Sequence, residues 1–409
     1  MTSFPKNKIK VLLLENISQT AVDLFSRETF SVESLSKSLS EEELIQKLST
    51  ENIHLLGIRS KTKLTERVIE AGSKNKLKAV GCFCIGTDQV DLEACEKRGI
   101  AVFNSPYANT RSVAELAMAE IVMLARKVPE HIQSMHKGNW YKIARDCYEV
   151  RGKTLGIVGY GHVGSQLGLL AEGFGMSVIY YDIEHKLPLG NAKPVESLEI
   201  LLKSSHVVSL HVPKTEQTNM MIKEEQIRMM PPKSFFLNLS RGSVVDVEAV
   251  ARALRDGHLI GAAIDVFPTE PSKDGEGVFV SPLQNCPNTI LTPHIGGSTI
   301  EAQDAIGKEV AQKLIQYMNE GCTVGSVNFP QINPVHYDGC HRLLHIHVNR
   351  HGVLKSINAL LQDYNVVSQL LGTTKHIGYM VIEVDKNVAD EVFTQINDLD
   401  CTIKARVLF

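Results

Sequence analysis

The chain has 409 residues, of which 43% are hydrophobic, and this length suffices for two or three domains with large buried cores. Its formal net charge of −3 at pH 7 provides no basic excess, so the composition predicts no nucleic-acid partner and no membrane partner. No run approaches the roughly 18 apolar residues that a membrane-spanning helix needs, and the first apolar run ends at Glu15, which favours a buried strand over a signal peptide.

Short apolar runs alternate with amphipathic stretches in the first hundred residues. This order predicts a parallel sheet covered by helices. Ser40 and Glu43 have the spacing of a capping box, which marks a helix start. The predicted strands cover residues 9–14, 54–60, 77–84 and 100–104, and the predicted helices cover residues 18–26, 40–49, 65–74 and 90–99.

A second series of strands and helices follows a long apolar stretch. Residues 109–138 are predicted to form one helix that ends near Gly138, and residues 298–321 form another that returns to cover the first sheet. The strands between these helices predict a second doubly wound sheet. They cover residues 153–159, 177–182, 207–213, 234–240, 261–267 and 289–294.

The last 70 or so residues have the element order βαββαβ after a linker at residues 328–339, which contains two prolines. This order is that of a ferredoxin-like module. The module has no evident catalytic trio, which suggests binding or regulation, and a dimerisation module without a ligand is the alternative. Its predicted elements cover residues 342–349, 352–364, 365–373, 377–385, 387–399 and 401–409.

The eight cysteines lack the spacing of a disulfide framework, and this favours a reducing cytoplasm. Cys82 and Cys84 are two apart in a predicted strand and therefore share a face. Buried reduced thiols are one interpretation of this pair, and a metal or redox pair is the other. We predict no metal site.

The stretch GIVGYGHVGSQLG, residues 156–168, places three glycines between a predicted strand and a predicted helix. In a dinucleotide site, Gly159 makes the turn, Gly161 lets the backbone approach a pyrophosphate, and Gly164 allows close packing of helix and strand. Asp182 ends the next strand, where a carboxylate accepts hydrogen bonds from ribose hydroxyls and repels a 2′-phosphate. The stretch therefore predicts NAD as the cofactor.

Three polar residues follow three later strands of the same predicted sheet. Arg241, Glu270 and His294 would converge, because the carboxyl ends of parallel strands meet at one edge. An imidazole can accept the hydroxyl proton of a 2-hydroxy acid while a hydride moves to nicotinamide. The carboxylate would orient the imidazole and raise its pKa, and the guanidinium would bind the substrate carboxylate.

Four motifs resemble those of the D-isomer-specific 2-hydroxyacid dehydrogenases: GYGHVG, LNLSRGSVVD, GAAIDVFPTEP and LTPHIGGSTIEAQ. The resemblance covers the whole chain and is greatest to bacterial-type members with a C-terminal ACT regulatory domain. It implies an α/β fold with two doubly wound parallel-sheet domains, the first flavodoxin-like and the second of Rossmann type, and a βαββαβ ferredoxin-like ACT domain. The implied boundaries are 1–107 with 299–330 for substrate binding, 108–298 for NAD binding, and 339–409 for the ACT domain.

The resemblance also implies site residues. Arg241, Glu270 and His294 match the catalytic residues of the family. Lys61 stands where relatives often have arginine, so it keeps the charge and loses the planar fork. The implied substrate contacts are Arg59, Ser60, Lys61, Asn109 and Gln303, and the implied cofactor contacts are Gly159, Gly161, His162, Val163, Gly164, Asp182, Leu239, Ser240, Arg241, Asp265, His294, Ile295, Gly296 and Gly297.

In ACT domains of this kind an effector site for L-serine lies at a subunit interface, and His347 and Asn349 match its positions. Asn365 matches a third position if the chain has a two-residue deletion near Asp363. His351 replaces a usual proline, which could weaken or alter inhibition. The family implies a homo-oligomer, a tetramer, in which Trp140 packs on a neighbouring subunit; an anchor in its own core is the alternative.

The implied reaction is the NAD-dependent oxidation of D-3-phosphoglycerate to 3-phosphohydroxypyruvate, the entry step of L-serine synthesis, with feedback by L-serine. Reduction of 2-oxoglutarate to 2-hydroxyglutarate is a possible second activity. One alternative is a dehydrogenase for another 2-hydroxy acid. The other is a dinucleotide-sensing corepressor, which would have no need of a base.

Overall fold

The computed structural model of the chain describes residues 5–271, 275–337, 339–385 and 390–408. Its internal contacts divide the chain into two units, residues 1–108 with 303–409 and residues 109–302. Within the described residues, no helix is both long enough and apolar enough to cross a membrane.

Residues 5–108 form a parallel sheet with helices between its strands. The capping box predicted at Ser40 and Glu43 is present and begins the second helix. The strands are β1 Lys10–Leu13, β2 Ser31–Ser34, β3 Ile53–Ile58, β4 Ala79–Cys82 and β5 Ala101–Asn104, and the helices are α1 Gln19–Arg27, α2 Glu41–Thr50, α3 Glu66–Lys74 and α4 Leu92–Lys97.

The described part of this sheet has the strand order β2-β1-β3-β4-β5, which is the flavodoxin-like order. Strands β3, β4 and β5 are wholly buried, and for this reason they read as continuous apolar runs. The edge strand β2 was not predicted, because its residues Ser-Val-Glu-Ser are partly exposed and form no apolar run.

Residues 109–302 form the second sheet, with the order β12-β11-β10-β9-β6-β7-β8. This is the doubly wound Rossmann order, with β8 in the place of its third strand and β12 added beyond β11 at one edge. The two-residue edge strand β8 was not predicted. The strands are β6 Thr154–Val158, β7 Ser177–Tyr181, β8 Lys193–Pro194, β9 Val207–Leu210, β10 Ser234–Asn238, β11 Leu259–Ile264 and β12 Thr289–Leu291, and the helices are α5 Thr110–Ala125, α6 Val128–His136, α7 His162–Gly173, α8 Leu198–Ser204, α9 Glu224–Met229 and α10 Val247–Arg255.

The prediction of one helix over residues 109–138 was wrong. The chain leaves the helical path at Lys127, which has a left-handed backbone with φ of 51°, and α6 starts afresh at Val128. Pro129 lies in the first turn of α6, where its missing N–H is not needed, and in a continuous helix it would break the hydrogen-bond ladder.

Helix α11, Ile300–Glu320, supplies Ile306, Val310 and Leu314 to the core of the first sheet, as expected for a returning helix. Phe329 and Ile332 from the predicted linker are buried in the same core, so this connection is packed over at least part of its length.

The C-terminal segment forms a four-stranded antiparallel sheet in the order β14-β15-β13-β16, which is the ferredoxin-like order of a βαββαβ module. Together with the two parallel sheets it confirms the predicted fold class. The elements are β13 Cys340–Val348, α12 Val353–Leu360, β14 Val366–Thr373, β15 Ile377–Asp385, α13 Asp390–Asn397 and β16 Thr402–Leu408.

Candidate active site

The glycine turn between β6 and α7 has the geometry of a dinucleotide loop. Gly159 has φ of 90°, and a Cβ there would lie 2.4 Å from the His211 carbonyl oxygen. A Cβ on Gly164 would lie 2.2 Å from the Gly159 carbonyl oxygen, so any side chain would push the helix off the strand. A Cβ on Gly161, the N-cap of α7, would meet no described atom within 4 Å. The turn is thus tight where the protein packs and open where a pyrophosphate would approach the helix N-terminus.

Asp182 follows β7 and lies beside the glycine turn. Its Oδ2 accepts a hydrogen bond of 2.8 Å from the Tyr160 N–H, and its Oδ1 accepts one of 3.0 Å from the Glu184 N–H. The carboxylate is therefore held in place and keeps acceptor capacity for ribose hydroxyls. These residues fit the adenosine side of a dinucleotide without a 2′-phosphate.

The turn after β10 presents Arg241. Asn238 Oδ1 accepts hydrogen bonds from the Ser240 N–H and hydroxyl, and Asn238 Nδ2 donates to the Arg241 carbonyl oxygen at 3.1 Å. A Cβ on Gly242 would lie 2.0 Å from the Phe267 carbonyl carbon. The backbone of the turn that presents Arg241 therefore packs directly on the backbone of the segment that leads to Glu270.

His294 and Glu270 form a hydrogen-bonded pair. The distance from His294 Nδ1 to Glu270 Oε2 is 2.9 Å, and Glu270 Oε1 accepts from the Phe267 N–H at 3.2 Å. The side chains are 46% and 38% exposed, so a ligand can reach them. A neutral imidazole that donates from Nδ1 has a free lone pair on Nε2, which is the form a general base requires.

The electrostatics of this pair favour a charged imidazole next to a charged carboxylate. The hydrogen bond to Glu270 raises the pKa of His294, against burial and the nearby Arg241 charge, which lower it. Burial alone would raise the pKa of Glu270, but the hydrogen bond and charge of His294 lower it overall. The pair therefore holds a proton more tightly than a free histidine does.

Asp265 organises the segment that carries His294. Its carboxylate accepts from the Thr292 hydroxyl at 2.6 Å and from the N–H groups of Ile295 and Gly296 at 2.8 and 2.9 Å. Asp265 is 1% exposed, and its carbonyl oxygen accepts from the His294 N–H. These bonds hold His294 in a left-handed conformation with φ of 56°.

Glu120 on α5 was not singled out from the sequence. Its side chain is buried, and neither carboxyl oxygen has a hydrogen-bond partner among the described residues. Burial, and then the charge of Asp265, raise the pKa of Glu120 to about 8. Glu120 is therefore mainly a neutral acid at neutral pH. The sequence carries no signal for this residue, because the apolar pattern of the helix does not distinguish a buried glutamate from an exposed one.

Arg59, Ser60 and Lys61 lie in the loop that follows β3, with Ser60 and Lys61 exposed. The loop is held by Glu15, which sequence reasoning treated only as the end of an apolar run. The Glu15 carboxylate accepts from the N–H groups of Arg59, Lys61 and Thr62 at 3.3, 2.9 and 2.8 Å. Glu15 is 7% exposed, so these bonds form away from solvent.

The two other expected substrate contacts lie on helices. Asn109 is the N-cap of α5, and a Cβ on Gly297 would lie 2.2 Å from Asn109 Nδ2, so the amide packs directly on the segment after His294. Its Oδ1 is buried and has no hydrogen-bond partner within the described part of the chain. Gln303 lies in the first turn of α11.

Comparisons with known proteins agree with this geometry. Residues 118–296 match the family model described as D-isomer specific 2-hydroxyacid dehydrogenase, NAD binding domain, and residues 343–404 match the model described as AHAS small subunit-like ACT domain. The chain is 53% identical to the D-3-phosphoglycerate dehydrogenase of Dictyostelium discoideum over 100% of this chain and 99% of the relative. It is 50% identical to the Haemophilus influenzae protein of that name, with the same coverage.

The chain belongs to the D-isomer specific 2-hydroxyacid dehydrogenase family. Its Rossmann unit is the NAD-binding domain of that family, which confirms the predicted cofactor. Among solved structures, D-lactate dehydrogenase from Aquifex aeolicus, complexed with NAD and lactic acid, matches with a TM-score of 0.66 and 28% identity, over 78% of this chain and 100% of that one.

In this dehydrogenase, the three residues expected to bind the effector do not form one cluster within a single chain, because Asn365 lies far from His347 and Asn349. His347 pairs with Gly378 in the sheet and is 4% exposed, and Asn349 donates to the Thr374 carbonyl oxygen at 2.8 Å. Asn365 lies at the other end of β15, where its carbonyl oxygen accepts from the Asp385 N–H. The separation from position 378 to position 385 is about 24 Å along the strand.

The structure of the dehydrogenase bears on two questions that the sequence left open: where Trp140 packs, and whether Cys82 and Cys84 are buried thiols. Trp140 is 79% exposed, so it is not an anchor in its own core. Cys82 is buried in β4 and Cys84 is partly buried, and both are free thiols. Burial raises the pKa of Cys82 well above its usual range, so this thiol is unreactive at neutral pH.

Proposed function

We propose that this dehydrogenase oxidises D-3-phosphoglycerate to 3-phosphohydroxypyruvate with NAD, as the first step of L-serine biosynthesis. The observation that carries the proposal is the His294–Glu270 pair, 2.9 Å apart, on the same unit as Arg241 and the glycine turn. The names of the relatives support the substrate, because two proteins that match over the full chain are both D-3-phosphoglycerate dehydrogenases.

Each catalytic side chain has a defined part in this proposal. His294 Nε2 accepts the proton of the substrate hydroxyl, and Glu270 holds the ring through Nδ1 and stabilises the imidazolium that results. Arg241 binds the substrate carboxylate with its planar fork and polarises the C2 oxygen. When NAD is bound, it supplies the hydride acceptor.

The open face at Gly161 and the fixed carboxylate of Asp182 are the features that fit the cofactor. We propose that the pyrophosphate lies at the N-terminus of α7 and that Asp182 binds the ribose hydroxyls. The nicotinamide end would contact the loops after β10, β11 and β12. The proposed cofactor contacts are Gly159, Gly161, His162, Val163, Gly164, Asp182, Leu239, Ser240, Arg241, Asp265, His294, Ile295, Gly296 and Gly297.

The substrate contacts follow from the loop held by Glu15. We propose that Arg59, Ser60 and Lys61 bind the substrate phosphate, and that Asn109 and Gln303 contact the rest of the molecule. The buried Oδ1 of Asn109 supports this, since it has no hydrogen-bond partner among the described residues and can accept one from a bound ligand. The proposed domains are those expected from the sequence: 1–107 with 299–330, 108–298, and 339–409.

We also propose that the C-terminal module is an L-serine sensor in a homotetramer. His347, Asn349 and Asn365 supply the donors and acceptors that a zwitterionic amino acid needs. Their separation within one chain supports a site shared by two copies of the module. Trp140, Tyr141 and Ile143, which are 79%, 62% and 54% exposed, support a further subunit contact. Because all eight cysteines are free, we propose a reducing compartment such as the cytoplasm.

Initial-rate measurements of NADH formation test the proposed reaction. We expect turnover of D-3-phosphoglycerate to exceed that of glycerate and other 2-hydroxy acids, and L-serine to lower the rate. Equal turnover of glycerate would indicate a dehydrogenase for another 2-hydroxy acid. Cofactor binding without turnover would indicate a dinucleotide-sensing protein. Reduction of 2-oxoglutarate by NADH is measured in the same series.

A further inference from the structure

A small recess lies where the antiparallel C-terminal sheet packs on the first sheet, both in the same unit. Its space is about 230 Å³ when the open solvent at its mouth is included. Its narrow inner part has room for an occupant about the size of one water molecule. Seven residues line this cationic recess: Lys78, Tyr317, Leu344, Ile346, Tyr379, Lys404 and Arg406.

Three of these residues are cationic side chains, and they come from two separate parts of the fold. Lys78 directly precedes β4, whereas Lys404 and Arg406 lie on β16. All three are only partly exposed, and the walls around them are apolar or aromatic. Within the described part of the chain, no carboxylate forms an ion pair with Lys78, Lys404 or Arg406. The recess therefore concentrates positive charge without a protein counter-charge.

The donors of the recess are only partly used by the protein. Lys404 Nζ donates to the Leu77 carbonyl oxygen at 2.9 Å, which leaves two of its protons. Arg406 donates to the Tyr317 carbonyl oxygen at 3.0 Å, and its guanidinium lies 4.6 Å from the centre of the Tyr317 ring. Among the described residues, nothing accepts a hydrogen bond from the Lys78 ammonium. Several strong donors are thus available at one place.

We propose that the cationic recess is an anion-binding site, which takes one small inorganic anion between Lys78, Lys404 and Arg406. Chloride, the smaller of the two anions considered, would occupy the narrow inner part. Phosphate fits if one of its oxygens enters this part and the others remain in the open mouth. In both cases the anion bridges β16 and the segment before β4, and it strengthens the packing of the C-terminal sheet on the first sheet.

The charges around the recess would favour a bound anion. Burial, followed by the charges of Arg406 and Lys76, lowers the pKa of Lys78 to about 8. Burial, followed by Lys78 and Arg406, lowers the pKa of Lys404 to about 7, while Cys95 acts in the opposite direction. A bound anion favours the charged amines, so its effect should be full below about pH 7 and should fade as the pH rises towards 9. The phenols of Tyr317 and Tyr379 remain neutral over this range, since burial raises the pKa of both.

Hydrogen exchange of the intact enzyme at constant ionic strength tests the proposal. Chloride and phosphate are compared with gluconate, which is much larger than the narrow inner part of the recess. We expect the smaller anions to slow exchange of the β16 amides at least threefold with a saturable dependence on concentration, and to raise Tm by about 2–4 °C. The variants Lys404→Met and Lys78→Met should lose this response, and the neighbouring exposed Lys76→Met should keep it.

Phosphate could also bind the loop at Arg59, so Arg59→Ala is measured in parallel. A phosphate response that survives Arg59→Ala and disappears in Lys404→Met supports the recess. A response that is unchanged in Lys404→Met, or equal for gluconate and chloride, overturns the proposal. The repulsion between the buried positive charges is then relieved by loss of protons and not by a bound anion.

Crystals of the enzyme soaked in bromide provide a direct measurement, independent of stability. We expect an anomalous peak between the amines of Lys78 and Lys404 in the parent enzyme and no peak there in Lys404→Met. Absence of the peak in the parent, in crystals that show bromide elsewhere, would contradict the proposed site.

Discussion

Glu15→Gln tests whether one buried carboxylate positions the loop that carries Arg59 and Lys61. The glutamine has nearly the same shape, but only its carbonyl oxygen can accept hydrogen bonds, and its amide nitrogen would face an N–H donor. A hydrogen bond to a charged acceptor contributes about 1.5–3 kcal/mol and one to a neutral acceptor about 0.5–1.5 kcal/mol, so each of two retained bonds loses about 1 kcal/mol. The third N–H loses its partner, at a cost of about 1–3 kcal/mol if it stays buried.

The combined loss is about 2–4 kcal/mol, after allowance for the exposure of Lys61. If the loop contributes this energy to binding of the phosphorylated substrate, kcat/KM falls by about 30-fold to about 1000-fold. We expect the change mainly in KM, because His294 and Glu270 belong to the other unit. Steady-state rates with D-3-phosphoglycerate measure the effect, and titration with NADH should show unchanged cofactor binding.

Glu33→Gln is the matched control for this experiment. Glu33 is a partly buried carboxylate on β2, and it pairs with Lys47 at 2.8 Å and not with the loop. A KM for D-3-phosphoglycerate within twofold of the parent value in Glu15→Gln, with an unchanged Tm, would refute the positioning role of Glu15. A fall of Tm in both variants with KM raised only in Glu15→Gln would support it.

Four further outcomes are expected. His294→Ala should lower kcat by about 10²–10⁴-fold while the Kd for NADH changes less than threefold, and an unchanged kcat would remove the base assignment. Glu270→Gln should move the acidic limb of the kcat/KM profile for oxidation to lower pH, because Glu270 raises the pKa of His294 and the neutral imidazole is the active form; a shift to higher pH would contradict this. Asp182→Ala should reduce the preference for NAD over NADP at least tenfold in kcat/KM, since the carboxylate no longer repels a 2′-phosphate. Asn349→Ala should weaken inhibition by L-serine at least tenfold with kcat unchanged, and undiminished inhibition would count against the effector site.

The parts of the fold that could be predicted are those with strong local patterns. The glycine turn, the buried strands β3 to β5 and the capping box at Ser40 each follow from residues that are close together in sequence. The edge strand β2 could not be found in this way, because an exposed edge needs no apolar alternation. The break at Lys127 was missed because residues on both sides have a helical pattern, and only Pro129 signals the boundary.

In the candidate site, too, some residues could be identified from local sequence patterns and others could not. Arg241, Glu270 and His294 could be selected because each follows a strand of one sheet. Glu15 and Asp265 could not be assigned their roles, because their partners are backbone N–H groups that the fold brings together from 44 to 47 and from 30 to 31 positions away. The amino-acid type of those partners is irrelevant to the bonds, so the sequence carries no sign of the pairing.

Three main-chain N–H groups in and next to the loop after β3 donate hydrogen bonds to Glu15. These three bonds are therefore independent of which side chains stand at positions 59 to 61, provided that none is proline. An engineer could exchange these side chains to accept substrates with a different tail while leaving the scaffold and the hydride-transfer machinery untouched. The same independence would allow a gene family to diversify its range of 2-hydroxy acids by point substitutions in this one loop.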